Sequence, residues 1–331
     1  MTRIAVIGEG SWGTTLARLL AKNGHDVRLW CWSRKVYHFI KETHENLVFL
    51  KGVDLPRNLE PTQDIGQALD GASMVIFVVP SVFAVSVVSA MPALEPGTLF
   101  LNCTKGFVGE DLKRMGLLVE ETPALKEADY AVLSGPNLAR EVSAGAPAAT
   151  VVASDAQGAF EKVNEALGSQ SFRIYGGADV IGAELGGALK NIYAIAAGVV
   201  DGLEFGSNAR AALMNRSLAE MIRLGVKLGA TEKTFYGLSG MGDLVCTCTS
   251  PLSRNHTVGA KLADGNTLDE ILGEMKMVAE GVETTRSVVD YARRNEIEMP
   301  IAEGVHDLLF AGLDVREGLK RLMTRLPKWE H

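Results

Sequence analysis

The stretch Arg3-Ile4-Ala5-Val6-Ile7-Gly8-Glu9-Gly10-Ser11-Trp12-Gly13-Thr14-Thr15-Leu16 decides the fold. The apolar run at 4–7 reads as a short buried strand. It passes directly into Gly8-Glu9-Gly10-Ser11-Trp12-Gly13, a G-x-G-x-x-G, and then into a helical pattern over 12–22. The glycine spacing alone is a weak signal; the strand before it and the helix after it make it a dinucleotide fingerprint. Gly8 allows the tight turn, Gly10 lets a pyrophosphate approach the backbone, and Gly13 lets the helix pack close to the strand. The helix N-terminus offers backbone N–H groups and a positive dipole end to the phosphates. A ligand-free glycine turn is the competing reading, and the α/β context weighs against it.

Outward from this motif, strands are expected at 27–30, 74–79 and 98–101, then at 130–133, 150–153 and 172–175. Helical patterns fall between them, one ending at Asn23-Gly24 and one at 64–69. Alternating strands and helices imply an α/β fold with a Rossmann-type, doubly wound sheet. After 177 the strand signals stop. Residues 181–202 are apolar nearly all round, which implies a helix buried in a domain centre. Helical patterns continue at 209–228, 267–275, 283–295 and 302–311. The chain is therefore expected to hold a dinucleotide-binding domain over 1–177 and an all-helical substrate-binding domain over 178–331.

The second strand is followed by Trp30-Cys31-Trp32-Ser33-Arg34. An Asp or Glu usually ends this strand and holds the ribose 2′-hydroxyl. No acid stands there. Arg34, with Ser33, suits a 2′-phosphate, the alternative being that Arg34 merely begins a helix in solvent. The cofactor expectation is NAD(P)H, with NADP(H) accepted and NAD(H) also open.

The 331 residues are 47% hydrophobic, enough for a substantial core, and the net charge is −7. With no long basic run, a nucleic-acid partner is not expected, since phosphate backbones need clustered Lys and Arg. One local pocket still suffices for a small phosphate. No apolar run reaches the ~20 residues that span a bilayer, and the N-terminus opens on a strand pattern, not a signal peptide. A cytoplasmic location is the expectation, and a homodimer remains open. Cys246 and Cys248 form a lone C-x-C with no second cluster, so no metal is expected.

Reducing a ketone with hydride leaves negative charge on the carbonyl oxygen, and a positioned acid must supply a proton there. Lys190, in Leu185-Gly186-Gly187-Ala188-Leu189-Lys190-Asn191-Ile192-Tyr193, is the only cation between 181 and 200. A lysine in an apolar setting suits this task, because desolvation favours its neutral form; a snorkelling surface lysine is the bland alternative. Asn102-Cys103-Thr104-Lys105-Gly106 and Ser134-Gly135-Pro136-Asn137 both follow strands, on the edge where ligands bind in such sheets. Ser239-Gly240-Met241-Gly242-Asp243-Leu244 reads as a glycine-rich turn carrying one acid. Pro251-Leu252-Ser253-Arg254-Asn255-His256 reads as a loop whose arginine can clamp phosphate. His256 reads as solvent-facing or structural.

Together these segments resemble the bacterial-type NAD(P)-dependent glycerol-3-phosphate dehydrogenases across essentially the whole chain. The matching motifs also include Asp201-Gly202, Gly206-Ser207-Asn208-Ala209 and Glu280-Gly281. The resemblance implies interconversion of sn-glycerol 3-phosphate and dihydroxyacetone phosphate, feeding phospholipid synthesis. It implies Lys190 as proton donor and acceptor, with Lys105 and Asp243 completing the polar pocket. Gly135, Asn137, Ser253, Arg254 and Asn255 would contact the substrate. Ser11, Trp12, Lys105, Ala139, Arg254, Val278 and Glu280 would touch the cofactor. Two places depart from the family pattern. Asn137 stands where a hydroxyl residue is common, and 31–34 follow no fixed pattern, so which of Trp32, Ser33 and Arg34 meets the adenosine ribose is open. The rival readings are another β-hydroxyacid-type dehydrogenase of the same architecture, and a dinucleotide-sensing module without turnover.

Overall fold

A computed structural model describes residues 2–109, 111–275, 278–326 and 329. Eight strands form one sheet. They are β1 (Arg3–Ile7), β2 (Asp26–Trp30), β3 (Leu59–Thr62), β4 (Met74–Phe77), β5 (Leu99–Asn102), β6 (Asp129–Ser134), β7 (Ala148–Ala153) and β8 (Phe172–Gly177). Their order is β3-β2-β1-β4-β5-β6-β7-β8. Every neighbouring pair is parallel except β6 with β7. The order reverses between β1 and β4, and ligands of such sheets bind outside the carboxyl ends of the strands at this switch point. The G-x-G-x-x-G turn leaves β1 at that point.

Seven helices accompany the sheet: α1 (Ser11–Lys22), α2 (Arg34–Thr43), α3 (Ile65–Leu69), α4 (Ser81–Ser89), α5 (Met115–Glu121), α6 (Ala139–Ser143) and α7 (Ala159–Leu167). The two-residue period of β1 divides the core. Ile4 and Val6 pack in one layer with Leu16 and Leu20 of α1 and Val163 and Leu167 of α7. Ala5 and Ile7 pack in the other with Ala68, Ala84, Val88 and Leu118. Strands covered on both faces read as continuous apolar runs, which is why β1 and β4 are evident in the sequence. Strand β3 was not expected, because Leu59-Glu60-Pro61-Thr62 is half polar and carries a proline. It pairs with β2 alone, and an edge strand tolerates the missing proline N–H.

The chain divides into two compact units. One holds residues up to 184 apart from 110–112; the other holds 110–112 and 185 onward. The second is helical: α8 (Val180–Gly202), begun in the first unit, then α9 (Gly206–Lys227), α10 (Glu232–Phe235), α11 (Asp243–Thr249) and α12 (Arg254–Ala263). They are followed by α13 (Leu268–Glu274), α14 (Glu280–Arg294), α15 (Pro300–Phe310) and α16 (Val315–Met323). Residues 182–200 of α8 are buried without a break. Missing side chains let α8 and α12 touch backbone to backbone: a Cβ on Gly259 would lie 1.9 Å from the Ile195 carbonyl oxygen, and one on Gly198 2.0 Å from that of His256. The turn and loop expected around 239–244 and 251–256 are mostly helix. Leu238–Gly242 winds as a π-helical turn directly into α11, and α12 starts at Arg254. Glycine, proline and serine suggested loops here, but Ser253 serves as the N-cap of α12.

Candidate active site

The glycine-rich turn is shaped by close contact. Gly8 has φ +122°, and a Cβ on it would lie 2.6 Å from the Val78 carbonyl oxygen; one on Gly13 would lie 2.0 Å from the Gly8 oxygen. Gly10 differs, because a Cβ there would meet nothing within 4 Å among the described residues. It is the N-cap of α1 and makes no side-chain hydrogen bond to the helix. Two closed positions and one open one, ahead of a helix start with no capping side chain, fit a dinucleotide pyrophosphate. Thr15 connects two expected cofactor contacts: its hydroxyl lies 2.8 Å from the Ser11 carbonyl oxygen and 3.3 Å from that of Ala139. It also lies 2.8 Å from Ser143 Oγ. Sequence reading missed Thr15, whose partners on α6 lie far along the chain.

At the end of β2 the structure supplies an acid that the local sequence lacks. The Glu9 carboxylate accepts the backbone N–H of Trp32 at 3.1 Å and of Ser33 at 2.9 Å. Ser33 is the N-cap of α2, its hydroxyl accepting from the Val36 N–H. Arg34 is exposed, with Nε 3.4 Å from Nε2 of His38 one turn along α2. Trp32 is 78% exposed, its ring 6.2 Å from that of Trp30, so a broad aromatic face is open to a stacking partner.

Beyond β5 and β6, Lys105 Nζ donates to the Gly135 carbonyl at 3.0 Å, and Thr104 Oγ1 donates to that of Val79 at 2.7 Å. Gly135 has φ +146° and lies against Thr150. Asn137 Nδ2 donates to Thr150 Oγ1 at 3.0 Å, which in turn donates to the Ser134 carbonyl. Asn137 Oδ1 and Ser134 Oγ are buried polar atoms with no hydrogen-bond partner among the described residues. A buried acceptor without a donor is costly to leave so, and a ligand hydroxyl would satisfy it.

In the helical unit, Lys190 of α8 is buried but not in apolar surroundings. Its Nζ donates to Thr247 Oγ1 at 2.5 Å and lies 3.1 Å from Asp243 Oδ1. Thr247 Oγ1 donates to the same Asp243 oxygen at 3.2 Å. Asp243 and Thr247 share one face of α11, four residues apart. Cys248 is beside this trio, and burial pushes its thiol up to about 12, so it stays a neutral thiol. Asn255 is engaged in bracing: Nδ2 donates to Asn191 Oδ1 at 2.9 Å, and Oδ1 accepts the Gly281 N–H at 3.0 Å. This ties α12 to α8 and to the start of α14, which Glu280 begins. Arg254 is exposed and donates to the Val278 carbonyl at 3.1 Å. His256 is structural, with Nε2 2.8 Å from Asp201 Oδ2. Burial pulls the Asp201 carboxyl up, but hydrogen bonds from His256 and Arg210 outweigh it and hold the group below the usual carboxylate range.

Two family models match the chain, described as the N-terminus of NAD-dependent glycerol-3-phosphate dehydrogenase over residues 3–160 and its C-terminus over residues 179–320. The chain belongs to this family. A Geobacter protein named glycerol-3-phosphate dehydrogenase [NAD(P)+] is 48% identical over 99% of this chain and 98% of its own. A protein of the same name from Nitratidesulfovibrio vulgaris is 47% identical over 98% of both chains. The crystal structure of glycerol-3-phosphate dehydrogenase from Coxiella burnetii superposes with a TM-score of 0.94 at 38% identity, covering 98% of this chain and 99% of that one. Two residues that the sequence reading did not single out are brought in by the structure, Glu9 at the end of β2 and Thr247 beside Lys190. Glu9 is visible in the sequence only as the variable residue of its motif. Thr247 could be found by placing Asp243 on a helix and looking four residues on.

Proposed function

We propose that this chain interconverts sn-glycerol 3-phosphate and dihydroxyacetone phosphate with NAD(P)H, Lys190 acting as the proton donor and acceptor. The observation that carries this reading is the Lys190–Asp243–Thr247 trio, in a chain that matches the glycerol-3-phosphate dehydrogenase family over residues 3–160 and 179–320. Gly8, Gly10, Ser11, Trp12 and Gly13 would hold the pyrophosphate; Trp32, Ser33 and Arg34 would surround the adenosine. Ala139, Val278 and Glu280 would complete the cofactor contacts. A bound nicotinamide supplies hydride to the ketone carbon or takes it from the alcohol carbon. The protein's own task is the proton. In the reducing direction the Lys190 ammonium gives one from Nζ to the substrate oxygen as negative charge builds there. In the oxidising direction the neutral amine takes it back. Asp243 holds the cationic form in place, and Thr247 Oγ1 fixes the direction of one N–H. Lys105, Gly135, Asn137, Ser253 and Asn255 would contact the substrate, and Arg254 would bind phosphate through its planar fork. The product alcohol phosphate would supply phospholipid synthesis.

A nicotinamide-absorbance assay over glycerol 3-phosphate, dihydroxyacetone phosphate and a panel of 2- and 3-hydroxy acids tests this. Turnover confined to the phosphorylated triose pair is expected. Preference for a hydroxy acid would overturn the substrate, and turnover of nothing would overturn the enzyme reading.

A further inference from the structure

We propose that Glu9 does the work of the acid absent from the end of β2, holding the adenosine ribose and favouring NAD(H) over NADP(H). This rests on the reading of the chain as a nicotinamide-dinucleotide enzyme. Glu9 lies between the first two glycines of the fingerprint, and its carboxylate reaches the backbone of Trp32 and Ser33 just beyond β2. An acid that selects the ribose 2′-hydroxyl normally issues from this strand end. The Glu9 backbone is anchored as well: its carbonyl oxygen accepts Thr14 Oγ1 at 3.0 Å and Asn46 Nδ2 at 2.8 Å.

Three consequences follow for the ligand. First, a 2′-phosphate needs donors, and the two N–H groups at this corner already serve the carboxylate. The Ser33 hydroxyl is engaged as the cap of α2, and the Arg34 guanidinium lies along its own helix toward His38. Second, the start of α2 would otherwise attract an anion through its dipole. Glu9 fills that role, so an arriving phosphate meets a like charge. Third, a carboxylate oxygen that accepts one N–H keeps further acceptor capacity, which ribose hydroxyls can use and a phosphate cannot.

Calorimetric titration of the folded protein with NADH and with NADPH gives both affinities without turnover. Wild type should bind NADH about tenfold or more tightly than NADPH, because opposed like charges are costly to bring together. Glu9→Ala should move this ratio toward NADPH by a similar factor. Glu9→Gln, which keeps the shape and loses the charge, should move it the same way, and it carries the test if the alanine variant does not fold. Equal or NADPH-favoured binding by wild type, or a ratio unmoved by both substitutions, overturns the proposal. If wild type binds neither nucleotide, the dinucleotide reading falls and this proposal with it. If both bind and the ratio ignores Glu9, this proposal alone falls.

Discussion

Lys190 Nζ stands 3.1 Å from Asp243 Oδ1, with 8% of the lysine side chain and 2% of the aspartate side chain exposed. Removing one member of such a pair strands the other as a buried charge, at about 3–5 kcal/mol. Activity and stability should therefore separate across a short series. Lys190→Ala should lower the rate of carbonyl reduction by about 10²–10⁴-fold and also lower the melting temperature. Adding Asp243→Asn should restore much of the stability and none of the rate. Stopped-flow hydride transfer and thermal unfolding, measured on the same samples, check both. A double variant that regained turnover would show that Lys190 does not carry the proton.

Arg254 is exposed and gives one hydrogen bond to the Val278 carbonyl. A surface arginine contributes about 0–1 kcal/mol, whereas losing a charge-assisted phosphate contact costs about 1.5–3 kcal/mol. Arg254→Ala and Arg254→Lys should both lower kcat/KM for the phosphorylated substrate by the larger amount and leave the melting temperature nearly unchanged. Lysine should not rescue, because it lacks the planar fork. Unchanged kcat/KM with a lowered melting temperature would make Arg254 part of the scaffold.

The parts of this molecule that local pattern can specify were legible. Asp64 and Thr267 mark helix starts, and both cap helices in the structure. The apolar run around Lys190 marks α8. What escaped depends on distance or on broken local rules. Leu59-Glu60-Pro61-Thr62 becomes a strand only because β2 offers it an edge. Asp243 and Arg254 sit in segments punctuated like loops, yet the close fit of Gly186 against the Ser239 carbonyl, and of Gly259 against that of Ile195, packs them as helices. Glu9 meets Trp32 and Ser33 across more than twenty intervening residues, a pairing that no window of the sequence contains.

The contact of α8 with α12 gives a packing test away from the chemistry. A Cβ on Gly259 would meet the Ile195 carbonyl oxygen at 1.9 Å, and backbone cannot move aside as a flexible side chain can. Gly259→Ala should cost at least about 1–3 kcal/mol as the helices are forced apart. It should also slow turnover, because Asn255 and Asn191 bridge the same two helices. Gly304→Ala is the control. Among the described residues its Cβ would find only Leu322 Cδ1, at 4.0 Å, and alanine in helix α15 should be neutral or stabilise by about 0.4–1 kcal/mol. Chemical denaturation of both variants decides. Equal effects would refute the tight crossing.

Glu220 of α9 gives the last prediction, a pH dependence with a defined sign. Its carboxylate accepts the Ile301 N–H at 2.7 Å and the Ala302 N–H at 3.2 Å, capping the first turn of α15. Tyr193 Oη donates to it at 3.2 Å. Burial dominates and raises the carboxyl from 4.5 to about 7, although these hydrogen bonds pull the other way. The Tyr193 hydroxyl is itself pushed well above its usual value, by burial and by Glu220, and stays protonated. A carboxyl raised on folding binds its proton more tightly in the native state. Its stabilising contribution is full below about pH 4.5 and is lost as the pH climbs through 7. The change amounts to a few kcal/mol, from about 1.4 kcal/mol for each pH unit of difference. Glu220→Gln removes the titration and retains one cap acceptor. Urea denaturation of both proteins from pH 5 to pH 8 should show the stability of wild type relative to Glu220→Gln falling up to about pH 7 and levelling off above it. A flat or rising difference would mean that the two backbone N–H groups hold Glu220 ionised throughout that range.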